Sequence, residues 1–193
     1  VWVTADGGKS WDCRAEGIWA EYAPPEHKHN PVIQDVHRLA RCQAVPDTLW
    51  AQHHNGIFRS TNAAELWTDI SHLKAISPTS FGFAVAAHPT DPLTAWFVPG
   101  VKDEHRLPPD GKVCVARTRD GGESYEVLRN GLPQEHAYDI TFRHGMDVDA
   151  SGNRLAFGST TGSLWVSEDQ GDTWLTVSEH LPPIYCVRFM ESL

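Results

Sequence analysis

The sequence predicts an all-β chain: a β-propeller of four-stranded antiparallel blades, and an incomplete one. Three observations predict it. The same eight-residue phrase returns four times, at 4–11 (TADGGKSW), 60–67 (STNAAELW), 118–125 (TRDGGESY) and 167–174 (SEDQGDTW). A β-prone run precedes each copy and another follows the last three, so each copy reads as a hairpin turn between two strands. The copies lie roughly 50 to 60 residues apart, close to the period of a four-stranded propeller blade.

Each place in the phrase has a physical task. Asp6, Asn62, Asp120 and Asp169 can accept hydrogen bonds from backbone N–H groups of their own turn. Gly8, Gly122 and Gly171 supply the positive φ of a tight hairpin, and the ring at the eighth place (Trp11, Trp67, Tyr125, Trp174) anchors the outgoing strand. The second copy departs most, with Ala64 for glycine and Leu66 for the hydroxyl residue.

Taken in order, the predicted strands are 1–4 before the first turn; 36–42, 49–52, 57–61 and 67–70 around the second; 81–87, 94–98, 113–117 and 125–128 around the third; and 138–142, 154–158, 163–167 and 174–177 around the fourth. Turn signals such as Pro46-Asp47, Asn55-Gly56, Asp110-Gly111 and Thr161-Gly162 separate them. A last run, 184–190, is unpaired in this tally. The expected organisation is one domain over 1–193: a partial blade over 1–20, blades over about 32–72, 80–131 and 136–181, and a closing strand over 184–190. This arithmetic suggests a piece of a larger propeller, with a complete four-bladed ring as the alternative.

The 193 residues suffice for a real core, and no run approaches the 18 apolar residues of a membrane span. A net charge of −9 without a Lys/Arg cluster argues against a nucleic-acid surface. Cys13, Cys42, Cys114 and Cys186 show no CxxC spacing and read as buried free thiols, which mildly favours the cytoplasm over a secreted location. Outside the phrase, Trp2, Trp50, Trp96 and Trp165 read as core between blades, and Trp19, outside a clear strand, as exposed.

The four phrases, with 55–60 (NGIFRS), 87–92 (AHPTDP) and 161–169 (TGSLWVSED), make the chain resemble the BNR or Asp-box β-propellers of the sialidase-like, WD40/YVTN-like superfamily. That superfamily includes sialidases, xyloglucanase-type glycoside hydrolases, sortilin-like receptor domains and a photosystem assembly factor. More narrowly, the chain looks like the C-terminal half of bacterial exo-alpha-sialidase-like or glycosyl-hydrolase-like BNR-repeat proteins. The resemblance implies that the phrases are structural Asp-boxes on the blade periphery. It leaves two function classes open: a scaffold binding a glycan, an acidic small molecule or a protein at its axial face, and a glycoside hydrolase. The missing half of the propeller or a second copy is a further expected partner, and no cofactor, nucleic acid or membrane is expected.

Sialidase chemistry needs three arginines converging on a carboxylate, a tyrosine activated by a glutamate, and an aspartic acid. The planar guanidinium fork matches a carboxylate with two parallel hydrogen bonds. The Arg-Ile-Pro tripeptide that the resemblance would lead one to seek is absent. Arg38, Arg143 and Arg188 nevertheless fall in or beside predicted first or closing strands, which line the axial channel. Tyr138 and Tyr185 lie nearby in sequence, and Asp35 and Asp139 are the candidate acids. The plainer reading pairs these arginines with Asp35, Asp139 and Glu191. A retaining or inverting hydrolase needs two facing carboxylates, for which Asp35, Asp139 and Asp147 sit near strand ends. Among the eleven histidines, His37 and one of His53 or His54 can meet within one blade. Hydrogen-bonded roles at the ligand face are assigned to His37 and His53, and no metal site is expected. The longest insertion, 99–111, is charged and stiffened by Pro108 and Pro109.

Overall fold

The computed structural model describes residues 1–71 and 79–190. The last predicted residue of the second blade, at 72, and Glu191 lie outside the described residues. Strands β1 (Trp2–Val3) and β2 (Asp12–Cys13) form a two-stranded ribbon. Three four-stranded antiparallel sheets follow, each a meander in chain order. The first holds β3 (Val36–Arg41), β4 (Leu49–His53), β5 (Gly56–Ser60) and β6 (Thr68–Asp69). The second holds β7 (Gly82–Ala87), β8 (Ala95–Pro99), β9 (Val115–Thr118) and β10 (Glu126–Leu128). The third holds β11 (Met146–Val148), β12 (Leu155–Gly158), β13 (Leu164–Ser167) and β14 (Leu175–Ser178). Strands β3 and β4 pack on β7, and β7 packs on β11, so the three first strands lie side by side.

Two predicted strands are absent. Residues 138–142 connect the second and third sheets, and β11 takes the first-strand place through Met146 opposite Phe157 and Val148 opposite Leu155. The alternation that suggested a strand has another cause: Ile140 and Phe142 pack on Phe81 and Phe83, while Asp139 accepts hydrogen bonds from Ser159 and Thr161. The closing run 184–190 makes only one bridge, parallel, between Cys186 and His144. Its neighbour there is a tight turn, closed by Gly145 N donating to the Phe142 carbonyl at 2.6 Å, so the ladder has nothing to extend along.

All four repeated turns share one hydrogen-bond scheme. In the first, the Thr4 hydroxyl donates to Asp6 Oδ1 (2.9 Å) and accepts from Gly8 N (2.8 Å), while Asp6 accepts from Ser10 N (2.9 Å) and Ser10 Oγ (2.7 Å). Thr118, Asp120, Gly122 and Ser124 repeat it, as do Ser167, Asp169, Gly171 and Thr173. In the degraded copy, Ser60 and Asn62 keep the bonds to Ala64 N and Leu66 N, because an amide oxygen accepts as a carboxylate does. Both the fourth and fifth residues have positive φ in every copy, so Ala63 (58°) and Ala64 (68°) are held where alanine is strained.

The core lies in the seams between sheets. Trp174 joins Trp96, Val115, Phe157 and Trp165 between the second and third sheets. Tyr125 joins Trp50, Ile70 and Phe97 between the first and second, and Trp67 joins Ile18 and Phe58 against the N-terminal segment. Each of these three rings thus packs back on what precedes its sheet. Trp11 has no preceding sheet in this chain and is 54 % exposed, and Trp2, on the two-stranded ribbon, is 56 % exposed, against the expected burial. Trp19 is half-buried rather than exposed, its Nε1 donating to Asp69 Oδ2 at 2.8 Å. All four cysteines are free; Cys42 and Cys114 are buried as expected, but Cys13 is half-buried and Cys186 exposed because neither ends in a seam. No helix among the described residues is long and apolar enough to cross a membrane.

Candidate ligand-binding site

Strand β3, the residues leading into it, Val1 and His144 line a groove of about 460 Å³ that includes Gln34, Asp35, His37 and Arg38. Arg38 stands on β3, half-buried; among the described residues its Nε has no partner. Burial and the neighbouring Arg188 charge lower its pKa, and Asp147 opposes them. Arg188, exposed, donates from Nη1 to the His144 carbonyl at 3.4 Å. Arg143 is exposed and lies over the Phe83 ring, 5.6 Å from its centroid. The imidazole of His144 is depressed below its usual pKa by burial and then by Arg38, Arg188 and Arg143. The three arginines selected from the sequence therefore bear on one imidazole, which sequence reasoning passed over.

A second cluster is built on Asp35 and His37, which line the same groove, and on His54. Strand β3 carries a bulge between Val36 and Arg38, and the extra residue, His37, is thrown toward β7. Its Nδ1 lies 2.7 Å from the Gly82 carbonyl, and its ring stacks on Phe83 at 4.6 Å. Since a carbonyl only accepts, Nδ1 carries the proton, and Nε2 faces Asp35 Oδ2 at 3.4 Å. His54, in the turn leaving β4, brings Nδ1 to 3.5 Å from the same oxygen. Burial is the leading cause that lowers the pKa of His37, ahead of the Asp35 charge that raises it. His53 points elsewhere: burial pushes it down to about 4, and its Nδ1 accepts from Asn55 N at 3.3 Å.

The remaining candidates separate. Tyr185 stacks on Phe142 at 6.2 Å beside the arginines, with 60 % of its surface exposed. Tyr138 lines a different cleft of about 350 Å³, with Val101, His105 and Leu107, because 138–142 is a connection rather than an inner strand. Asp139 is held by Ser159 (2.8 Å) and Thr161, Asp35 by His37 and His54, and Asp147 accepts from Phe189 N at 2.9 Å. From the insertion 99–111, Arg106 reaches Phe83 (5.4 Å) and Phe142 (5.8 Å) while paired to Asp103 at 2.6 Å. Its only signal in the sequence was the charge of that loop.

This arrangement of sheets can be set beside known proteins. No family model matches the chain, and no curated protein matches it. Solved structures do. The GH74 xyloglucanase from Xanthomonas campestris aligns with a TM-score of 0.54 at 23% identity, over 73% of this chain and 20% of that one. An ancestral GH74 enzyme aligns at 0.54 and 17%, over 74% and 18%. YCF48 bound to D1 peptide aligns at 0.53 and 12%, over 78% and 42%. The fold is a β-propeller fold. The chain spans about a fifth of the length of the GH74 enzymes and about two-fifths of that of YCF48. At these identities the likeness concerns the fold.

Proposed function

We propose that the chain is a binding module, a stretch of Asp-box propeller whose axial face holds an acidic segment of a protein partner. The observation that carries this reading is the placement of Arg38 and His144 on one groove, with Arg188 Nη1 reaching the His144 carbonyl at 3.4 Å and Arg143 next in sequence, in a chain whose net charge is −9. A local positive site on an acidic molecule selects carboxylates and repels acidic partners elsewhere. Arg143 is exposed and engaged through a ring face, so its guanidinium retains donors for a ligand, whereas the unpartnered Nε of Arg38 is buried. The similarity in fold to YCF48, seen bound to a peptide, is in keeping with a peptide ligand.

Hydrolysis of glycosides is the weaker reading. It draws on the fold shared with the GH74 enzymes, but Asp35, Asp139 and Asp147 each serve a different set of neighbours. The test is fluorescence anisotropy with a labelled peptide rich in Asp and Glu, beside its Asn and Gln counterpart, across a range of salt. The acidic peptide should bind, weaken as salt rises, and lose at least tenfold in affinity with Arg38→Met or Arg143→Met, about 1.4 kcal/mol. Equal affinity for both peptides, or no binding, overturns the proposal. Sugar release from xyloglucan or a fluorogenic sialoside would favour the hydrolase instead.

A further inference from the structure

We infer that Asp35, His37 and His54 form a binding site for a divalent transition metal, zinc being the ion whose geometry they match. One ligand atom from each residue lies within 4.8 Å of the other two, and Asp35 Oδ2 faces both His37 Nε2 and His54 Nδ1. Two donors about 2.0 to 2.1 Å from a zinc ion at the tetrahedral angle are about 3.3 to 3.4 Å apart. The His37 to Asp35 and His54 to Asp35 separations, 3.4 and 3.5 Å, are close to that edge.

The Gly82 carbonyl holds a proton on Nδ1 of His37, which leaves Nε2 as the nitrogen turned toward the Asp35 carboxylate. A proton or a metal ion can lie between that nitrogen and the carboxylate, and zinc titration tells the two apart. A ring N–H given to a backbone carbonyl is also the usual support behind a metal-bound histidine.

The surroundings hold the ligands in place. Tyr22 Oη donates to the Ile33 carbonyl (2.8 Å) and accepts from Asp35 N (2.9 Å), and His54 N donates to the Asp35 carbonyl (3.0 Å). Phe83 backs His37, and Phe81 lies edge-on to both histidine rings. The His37 side chain is 1 % exposed, His54 24 % and Asp35 49 %, so three donors come from the wall and the open side faces solvent. Two imidazoles and one carboxylate with an open position suit zinc that keeps a water or an anionic oxygen as its remaining ligand. This inference does not rest on the peptide reading, because its donors are not the arginines.

The test uses the whole chain, stripped with chelator, and the metal alone. Titration calorimetry with zinc should give one ion per chain, and cobalt should give the visible bands of a tetrahedral ion that zinc then quenches. His54→Ala and Asp35→Asn should each weaken binding at least a hundredfold while the metal-free melting temperature stays near that of the parent. Asp35→Asn preserves the side-chain volume, so its loss of metal is not a folding defect. Failure of the folded parent chain to bind either ion, or stoichiometric binding that survives both substitutions, overturns the inference.

Discussion

Asp6, Asp120 and Asp169 each spend their charge on the turn that carries them, and this gives the fold a dependence on acid. The backbone N–H and the hydroxyl of Ser10 hold Asp6 down at about 2. At Asp120 and Asp169 burial pushes the pKa up, but hydrogen bonds from Ser124 and Thr118, and from Thr173 and Ser167, outweigh it and leave both below the usual value. An unfolded aspartate titrates near about 3.9. With the folded values lower, the stabilisation is complete above that pH and is lost as the pH falls from about 4 to about 2. Urea midpoints should therefore stay flat down to about pH 5 and drop steeply below about 4. Asp169→Asn should soften that acid limb at a cost of about 1 kcal/mol at neutral pH, since Asn62 performs the same task in the second turn. An unchanged acid limb would remove the turns as its source. The second turn also contains a native strain: Ala63, half-buried at φ 58°, stands where the first and third turns carry Gly7 and Gly121. Ala63→Gly should raise stability by about 1 kcal/mol, read as a higher melting temperature, because the left-handed cost to alanine exceeds the entropy lost with glycine.

At the scale of the element, identical places in the repeat carry unequal energies. Trp174 is 2 % exposed in the seam behind its sheet, and Trp11, at the same place, is 54 % exposed. Trp174→Ala should cost about 3 to 5 kcal/mol in chemical denaturation and Trp11→Ala less than about 1 kcal/mol. Similar costs for the two would refute the assignment of ring anchoring to the seam. The same comparison indicates what the sequence could reveal. Local signals were legible: Asp, Gly and ring spacing place all four turns, and β4, β5, β8, β9, β12 and β13 fall close to their predicted runs because β-branched and aromatic residues between turn signals have few alternatives. Signals that depend on a neighbour were not legible. Residues 138–142 alternate like a strand but bury Ile140 against Phe81, and only the packed sheets reveal it. The arginines were selected for lying in or beside predicted first and closing strands, of which only the strand of Arg38 forms, whereas His144 and the bulge that turns His37 toward Gly82 leave no trace in spacing.

Across the whole molecule the sheets are joined by a repeated arginine contact that no single copy of the phrase discloses. The fourth residue of each later turn offers its carbonyl to an arginine from the preceding unit. Arg14 Nη1 donates to Ala63 O (2.9 Å), Arg59 Nη1 to Gly121 O (3.5 Å) and Arg117 Nη1 to Gln170 O (2.8 Å). Arg59 and Arg117 stand immediately before the turns at 60 and 118, and the last sheet, which no later sheet follows in this chain, has Val166 there. Arg117 is the best held: its side chain is 3 % exposed, and it also meets Glu126 at 2.8 Å and Asp172 at 2.7 Å. Both acids are 55 % exposed, so they can return to water if the guanidinium is removed. Arg117→Met should then cost only about 1 to 2 kcal/mol, its methylenes keeping the seam filled, whereas Arg117→Ala adds a cavity and should cost about 3 kcal/mol or more. A row of sheets touching mainly its neighbours behaves as a linear stack, and weakening one seam lets the units beyond it open separately. Hydrogen exchange of Arg117→Ala should accordingly show β12 and β13 losing protection while β4 and β5 keep most of theirs. An equal loss across all four strands would mean that the sheets unfold as one unit and that the arginine seams do not divide the molecule.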